Sequence, residues 1–283
     1  MKETQKSMRP EETIIFTDLD GTLFNSRGEV SAENRRSIRD YIDRGGRFAI
    51  ATGREPGNAL KFIGDLPQNA PAVVVNGCGV YDFEKSVYLR TWTIDGVRAV
   101  PFLRALLAEF PDMELQAYTE EGIRYCTPEE TAHPQLLAMH RPCVFTTLDA
   151  LEGARFLKFF MYAPEEREEA LMARLREGEA AGMFRHVPGT TDVGGAITYH
   201  ELLPMDVSKG SAIRWLRDQP AAAGRTILAA GDFWNDYELL RESDVAVAPA
   251  NAIDEIKAIC RFVTVSNNEH VLKHVIEDIV PAL

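Results

Sequence analysis

Two aspartates, Asp18 and Asp20, lie one residue apart where the apolar run at 14–16 leads into a glycine-containing turn. Residues i and i+2 of an extended chain project to the same side, so both carboxylates can point into one crevice. Gly21 permits a tight exit from the strand. Repulsion between the two acids is relieved by a raised pKa on one of them or by a bound cation. Either a raised pKa or a bound cation is useful in catalysis. The alternative interpretation of this segment is an ordinary turn without catalytic function, because Asp and Gly are favoured turn residues.

Polar residues also follow the other predicted strands of this type. They are Thr52, Gly53 and Arg54 after the strand at 47–51, Asn76 at the end of the strand at 72–76, and Asp232, Asn235 and Asp236 after the strand at 226–230. Lys209 opens the helix before the last of these strands. Because strand ends of a parallel sheet fall along one edge, we expect all these residues to converge there. Taken singly, each has a plainer interpretation, such as a helix cap for Asn235 or a solvated lysine for Lys209.

The elements that position these residues alternate between strands and helices. The predicted strands lie at 14–17, 47–51, 72–76, 226–230, 245–248 and 262–265, and the predicted helices at 32–44, 55–63, 235–241, 252–259 and 269–279. Continuous apolar strands separated by helices are typical of a parallel sheet covered on both faces. The predicted fold class is therefore α/β, with a doubly wound, Rossmann-like core domain.

The pattern changes in the middle of the chain to hairpin-like strands and amphipathic helices, which predicts an inserted α+β domain. We expect a flexible N-terminal tail at 1–12, a core domain at 13–82 and 201–283, and an inserted cap domain at 83–200. Ligands of open α/β sheets bind beyond the carboxyl ends of the strands, so a domain inserted there would act as a lid. The segment at 188–192 is expected to be a turn, either a cap loop that reaches the site or a surface turn.

Composition narrows the classes of function. The chain has 283 residues, enough for two domains, with 45% hydrophobic and 26% charged residues. No segment approaches the roughly 18 uninterrupted apolar residues of a membrane span, and the polar N-terminus lacks the apolar region of a secretory signal. We therefore expect a cytoplasmic protein with no membrane partner. The net charge of −12 argues against a nucleic-acid partner, and the oligomeric state is left open.

The converging side chains favour a phosphate site with a metal. Clustered aspartates are hard oxygen ligands that suit Mg²⁺. Lys209, Thr52 and the helix N-terminus after Thr52 are suited to hold phosphate oxygens. The four cysteines are far apart, with no Cys-x-x-Cys pair that would indicate a zinc or redox site. The inferred ligand is a phosphate next to magnesium.

Four motifs, in this order, resemble those of the haloacid dehalogenase superfamily. They are Asp-Leu-Asp-Gly-Thr-Leu at 18–23, Ala-Thr-Gly-Arg at 51–54, Val-Ser-Lys-Gly at 207–210 and Gly-Asp-Phe-Trp-Asn-Asp at 231–236. The large insert after the Val-Asn-Gly at 75–77 resembles the type II cap of the Cof-like phosphatase branch. The chain departs from that branch at Phe233 and Trp234, where a small or polar residue is common, and at His270, near a usual glycine. These departures bear on substrate range.

The resemblance implies a role for each site residue. Asp18 would be the nucleophile that forms an aspartyl-phosphate, and Asp20 would protonate the leaving alkoxide and later activate water. The implied metal ligands are Asp18, the backbone carbonyl of Asp20, and Asp232. The remaining implied site residues are Thr52, Gly53, Arg54, Lys209 and Asn235 at the phosphate or substrate, with Asp236 and Asn76 behind them. Of these, Arg54 either contacts the substrate or ties the core to the cap.

The expected function is a Mg²⁺-dependent phosphatase of a small phosphorylated metabolite, with a sugar phosphate as one candidate. A phosphomutase or phosphotransferase would use the same intermediate and pass the phosphoryl group to a second hydroxyl. A non-catalytic phosphate-binding module is the alternative from another class. It is disfavoured because both aspartates of the first motif are present.

Overall fold

The computed structural model describes residues 8–140, 142–151, 153–191 and 197–283. The strands are β1 (Thr13–Thr17), β2 (Arg47–Ile50), β3 (Ala72–Val74), β4 (Gly79–Asp82), β5 (Val87–Thr91), β6 (Glu114–Thr119), β7 (Gly122–Tyr125), β8 (Lys158–Tyr162), β9 (Arg185–Thr191), β10 (Ile197–Leu203), β11 (Thr226–Ala230), β12 (Val245–Ala248) and β13 (Phe262–Val263). The helices are α1 (Ala32–Asp43), α2 (Pro56–Ile63), α3 (Gly96–Glu109), α4 (Pro134–His140), α5 (Glu168–Ala180), α6 (Lys209–Arg217), α7 (Tyr237–Glu242), α8 (Asp254–Ile259) and α9 (Val271–His274). Within these residues, no helix is both long and apolar enough to cross a bilayer.

A five-stranded parallel sheet in the order β13-β12-β11-β1-β2 forms the centre of the first unit. Its register aligns Thr17 of β1 with Ala230 of β11 on one side and with Ile50 of β2 on the other. The three strands therefore end at the same level. The polar segments that follow them start along one edge of the sheet, as the strand pattern predicts, and the α/β fold class is confirmed.

The chain divides into two compact units, one containing the residues up to Arg90 and Ser208–Leu283, the other Thr91–Val207. The second unit is built on an antiparallel sheet in the order β7-β6-β8-β10-β9. One side of this sheet shares an apolar core with α3 and α5 that includes Leu103, Leu175 and Phe159. Residues 83–90 fall in the first unit because β5 extends a sheet of β3, β4 and β5. Residues 201–207 fall in the second, where β10 pairs with β8 and β9.

Some local predictions need correction. The predicted strand at 72–76 ends at Val74. On one side β3 forms a parallel bridge from Val73 to Ala51, directly after β2, and on the other side it pairs antiparallel with β4. The predicted helix at 269–279 is α9 followed by a wider turn at Val275–Ile279. Part of the predicted tail is ordered, because Pro10–Glu12 form a 3-10 turn and Arg225 donates to the Glu11 carbonyl. Residues 1–7 of that tail lie outside the described residues.

The predicted turn at 188–192 is instead the end of an edge strand. Pro188 and Gly189 belong to β9, opposite His200 and Tyr199 of β10. Proline is tolerated there because β9 lies at the edge of its sheet. A Cβ on Gly189 would lie 2.3 Å from the Tyr199 ring, so the glycine leaves room for that ring. Residue 192 lies outside the described residues.

Candidate active site

A buried lysine between two buried carboxylates forms the centre of the site. Lys209 Nζ donates to Asp18 Oδ1 at 2.6 Å and to Asp236 Oδ1 at 2.7 Å. Lys209 is the first residue of α6, and the Ser208 hydroxyl caps that helix by accepting from the Ser211 amide. Asp18 follows β1 and Asp236 lies in the turn after β11. The sheet edge therefore brings together residues that are almost 200 positions apart.

The carboxylates outnumber the positive charge at this centre. Oxygen atoms of Asp18, Asp232 and Asp236 lie within 4.8 Å of one another. Burial, and then repulsion from Asp236, raises the pKa of Asp18 well above its usual value. The same two causes raise the pKa of Asp232 to about 7. Burial opposes the charged form of Lys209, but Asp18 and Asp236 outweigh it and raise the lysine pKa. One lysine does not balance three carboxylates, so the donor set suits a divalent cation.

The Asp232 side chain is held at this centre by the turn after β1, and that turn is held by a residue that follows β12. Its Oδ1 accepts from Thr22 Oγ1 at 2.9 Å. Gly21, at φ +77°, lies so close that a Cβ there would be 2.3 Å from Asp232 Oδ2. The Gly21 carbonyl accepts from Asn251 Nδ2 at 2.8 Å. The sequence analysis did not identify Asn251 as a site residue. The available signal was its position after β12, which matches the positions of the predicted site residues after β1, β2 and β11.

Asp236 is saturated by protein donors. Its Oδ1 accepts from Lys209, and its Oδ2 accepts from the backbone amides of Asp232 at 3.0 Å and Phe233 at 3.4 Å. Its side chain is fully buried. This arrangement fits a residue that positions Lys209 and the Asp232 loop better than one that is free to bind a ligand.

The second aspartate of the first motif takes a different partner from the first. Asp20 is exposed, and its carboxylate oxygens accept hydrogen bonds from Arg54 Nε at 2.9 Å and from Arg54 Nη2 at 2.7 Å. The chain leaves the extended conformation after Asp18 in a wide turn at Leu19–Leu23. Asp18 therefore reaches the buried lysine, while Asp20 lies at the surface in a two-bond pair with Arg54.

Two further residues of α2 hold Arg54, and both were missed in the sequence. Arg54 Nη1 donates to Asn58 Oδ1 at 2.8 Å, and the guanidinium lies 4.3 Å from the centre of the Phe62 ring. Asn58 and Phe62 are four residues apart and share a face of the helix. That spacing was the available signal, but nothing in the sequence identified the side chain they contact.

Thr52, Gly53, Asn76 and Asn235 meet beside this pair. Thr52 is buried, and its hydroxyl accepts from the Arg54 amide at 3.2 Å. Asn76 Oδ1 accepts from Asn235 Nδ2 at 3.4 Å, which joins the segment after β3 to the turn after β11. A Cβ on Gly53 would lie 2.8 Å from Asn76 Oδ1, so glycine allows this close approach.

The segment after β3 has an unusual backbone that fixes Asn76. Val75 and Asn76 have φ values of 52° and 54°, and Gly77 follows at 95°. A β-branched residue at positive φ is uncommon, and such strain costs of order 1–3 kcal/mol. It persists because the Val75 amide donates to the Arg54 carbonyl and the Asn76 amide to the Thr52 carbonyl, each at 3.0 Å.

Gly77→Ala should disturb the start of α6. A Cβ there would lie 2.0 Å from the Ser208 carbonyl oxygen, directly before Lys209. We expect a loss in the free energy of unfolding beyond the roughly 1–2 kcal/mol that positive φ alone costs, together with a lower kcat. Gly224→Ala is the control, because Gly224 has φ +71° but open space around it. Urea denaturation and phosphatase assays of both variants check this, and equal effects would contradict it.

The fold and the acidic site together define a hydrolase class with a parallel core sheet and an inserted unit. Residues 15–276 match the family model of the haloacid dehalogenase-like hydrolases. The chain therefore belongs to the haloacid dehalogenase-like hydrolase family. This confirms the family, and the class of enzyme, that the four motifs predict.

Individual relatives agree with this assignment. The chain is 27% identical over 284 residues to the phosphatase YwpJ of Bacillus subtilis, covering 94% of this chain and 99% of that protein. It is 26% identical over 300 residues to the 5-amino-6-(5-phospho-D-ribitylamino)uracil phosphatase YwtE of the same organism, covering 94% and 97%. The crystal structure of TM0651 from Thermotoga maritima superposes with a TM-score of 0.75 at 24% identity, covering 94% of this chain and 96% of that one.

One relative is much longer than this chain. The chain is 26% identical over 277 residues to the chloroplastic endoribonuclease YBEY of Arabidopsis thaliana. The match covers 92% of this chain but only 45% of that protein. The named activity of the plant protein is therefore a property of a longer chain.

Proposed function

We propose that this chain is a Mg²⁺-dependent phosphatase that hydrolyses a small phosphorylated metabolite through an aspartyl-phosphate on Asp18. The observation that carries the proposal is the buried Asp18–Lys209–Asp236 arrangement, with Asp232 beside it. It combines a carboxylate nucleophile, a cation next to it and an excess of acidic oxygen. The relatives YwpJ and YwtE, both named as phosphatases, support the same reaction type.

Asp18, the backbone carbonyl of Asp20, and Asp232 would hold the metal ion. The excess of carboxylates over lysine supports this set, and the saturation of Asp236 by protein donors separates it from the ligands. Bound Mg²⁺ would supply positive charge to the oxygens of the transferred phosphoryl group. Thr52 and Lys209 would neutralise the rest of that charge.

The protein side chains would carry the covalent steps. An ionised Asp18 oxygen attacks phosphorus, and the bond from phosphorus to the ester oxygen breaks. Asp20 gives a proton to the departing alkoxide. In the second step Asp20 removes a proton from water, the water oxygen attacks the aspartyl-phosphate, and inorganic phosphate leaves with Asp18 restored. Each Asp20 oxygen accepts one hydrogen bond from Arg54, which leaves a second lone pair on each oxygen to take a proton.

Chelation of divalent metal should stop hydrolysis of p-nitrophenyl phosphate, and added Mg²⁺ should restore it. On an alkyl phosphate, the products should be one free alcohol and one inorganic phosphate for each ester consumed. Product analysis by chromatography and a phosphate assay checks the stoichiometry. Phosphate on a second hydroxyl would instead identify a phosphotransferase or phosphomutase. Turnover that continues in chelator would exclude the metal, and no turnover of any ester would favour a binding module.

Stability without metal should fall as the pH rises. The pKa of Asp232 is raised to about 7 by burial and by Asp236, against roughly 3.9 in an unfolded chain. Between these values the folded protein keeps a proton that the unfolded chain has lost, so this group lowers stability as pH rises to about 7. Mg²⁺ at one hundred times its Kd at pH 8 should add about 2.7 kcal/mol there, and the same Mg²⁺ concentration should add less at pH 5, where Asp232 holds a proton.

Asp232→Asn is the matched variant for this test. Without metal, it should be more stable than the wild type at pH 8 and close to it at pH 4.5. It should also lose the stabilisation by Mg²⁺. Urea denaturation at the two pH values, with and without Mg²⁺, measures all four differences. A wild type that Mg²⁺ does not stabilise at pH 8 would contradict the assigned metal site.

A further inference from the structure

Three aromatic side chains, Phe233, Trp234 and Tyr237, are exposed directly after Asp232, and we call them the aromatic rim. Their exposed fractions are 49%, 51% and 36%. Within the described residues, Phe145 is the one other exposed large aromatic side chain. The exposed aromatic surface is therefore concentrated in five consecutive positions. Single exposed apolar residues are ordinary, but clustered apolar surface marks a binding region.

The segment that carries the rim is anchored to the candidate site on either side of Trp234. The Phe233 amide donates to Asp236 Oδ2, and the Asn235 side chain donates to Asn76 Oδ1. Trp234 lies between these two anchors, in a 3-10 turn at Trp234–Asp236. The rim is therefore held next to the Asp18–Lys209–Asp236 centre.

The rim has the composition of a stacking surface. The Trp234 and Tyr237 rings lie 6.4 Å apart between centroids and are tilted by 36°. Aromatic faces bind planar rings by stacking. The adjacent carboxylates disfavour a second anionic group on the substrate. A neutral planar ring is therefore the leaving-group chemistry that this edge of the site fits best.

We propose that the aromatic rim binds a planar heteroaromatic ring in the alcohol part of the phosphate ester. The preferred substrates are then monoesters of the nucleoside 5′-monophosphate type rather than bare sugar phosphates. The proposal rests on the phosphatase function proposed above and specifies its substrate class. It uses the two aromatic residues at which the fourth motif departs from the Cof-like branch.

The probes are adenosine 5′-monophosphate and ribose 5-phosphate. Both are 5-phosphate esters of ribose, and only the nucleotide carries a planar base. The measured quantity is the ratio of kcat/KM for the nucleotide to kcat/KM for the sugar phosphate. Trp234→Leu, which keeps apolar bulk but loses the ring, should lower this ratio about tenfold, corresponding to about 1.4 kcal/mol of stacking. Trp234→Phe, which keeps an aromatic ring, should keep most of the wild-type ratio. Val263→Ala, an exposed apolar residue on β13, should leave the ratio unchanged.

Equilibrium binding separates failure of this proposal from failure of the proposed function. Calorimetry with the Asp18→Asn variant and Mg²⁺ gives Kd for both probes without turnover. Tighter binding of the nucleotide that disappears with Trp234→Leu supports the rim even if neither probe is hydrolysed. Equal Kd values, or a preference that Trp234→Leu leaves intact, overturn it while the phosphatase function stands. Binding of neither probe overturns the proposal, and hydrolysis of p-nitrophenyl phosphate by the wild type then shows separately whether the phosphatase function stands. A dimer that dissociates in Trp234→Leu, with no change in ring preference, assigns the surface to self-association and overturns the proposal.

Discussion

Asp18→Asn should abolish turnover, lowering kcat on p-nitrophenyl phosphate by at least about 10⁴-fold, or about 5.5 kcal/mol of transition-state stabilisation. The amide is close in shape to the carboxylate but is not a nucleophile for phosphorus. Its oxygen still accepts a hydrogen bond from Lys209, so the local geometry is retained. The pKa of Asp18 is raised by burial and by Asp236, so its charge is disfavoured in the folded state. The variant should therefore be at least as stable as the wild type at pH 8 without metal.

Covalent labelling distinguishes a lost nucleophile from general damage to the site. Acid quenching of the wild type during turnover of labelled substrate should trap phosphate on the protein, and hydroxylamine should release it, as expected of an acyl phosphate. Asp18→Asn should trap none. Asp43→Asn, an exposed acid at the end of α1, should label and turn over like the wild type. Full activity of Asp18→Asn, or a label on another residue, would overturn the nucleophile assignment.

The sheet edge could be predicted from sequence because its determinants are local. Apolar strands of four or five residues followed by polar segments identify β1, β2 and β11, and parallel pairing places their ends at one level. The observed register, with Thr17 opposite both Ala230 and Ile50, is the consequence. The convergence of Asp18 and Asp236 follows from the parallel pairing of β1 with β11, and Lys209 joins them as the first residue of the helix that precedes β11.

The side-chain pairings could not be predicted in this way. Arg54 is held by Asp20, Asn58 and Phe62. Each of these partners is a matter of side-chain direction and packing rather than of element order. The same limit applies to one side of β3, whose valine-rich run predicts the parallel bridge beside β2 but not a second, antiparallel partner. Its antiparallel pairing with β4 depends on the positive φ values at 75–77, which reverse the chain.

Lys209→Met should be the most destabilising of the changes considered at this site. It leaves Asp18 and Asp236 buried without their cation, and breaking a buried ion pair from one side costs about 3–5 kcal/mol. The lysine is fully buried with both carboxylates in hydrogen-bond range. Without it the pKa of Asp18 should rise further in the folded state, because the Lys209 charge is what opposes that rise. The deficit should therefore be largest at pH 8 and shrink towards pH 4, where Asp18 holds a proton.

Urea denaturation of Lys209→Met against the wild type at the two pH values measures this deficit. Lys61→Met, which changes an exposed lysine of α2, controls for the loss of one positive charge from an acidic protein. The two lysine variants should differ by several kcal/mol at pH 8. A Lys209→Met protein as stable as Lys61→Met there would contradict the role of Lys209 in compensating the buried carboxylates.

The double variant Lys209→Met/Asp18→Asn separates the structural role of the lysine from its role in catalysis. Removing the Asp18 charge takes away one of the two uncompensated carboxylates, so part of the lost stability should return. Residues in direct contact show such coupling, commonly 0.5–3 kcal/mol. Activity should not return, because the nucleophile and the cation beside the phosphoryl group are both missing. Stability losses that simply add would mean that Asp18 and Lys209 do not depend on each other as a charged pair.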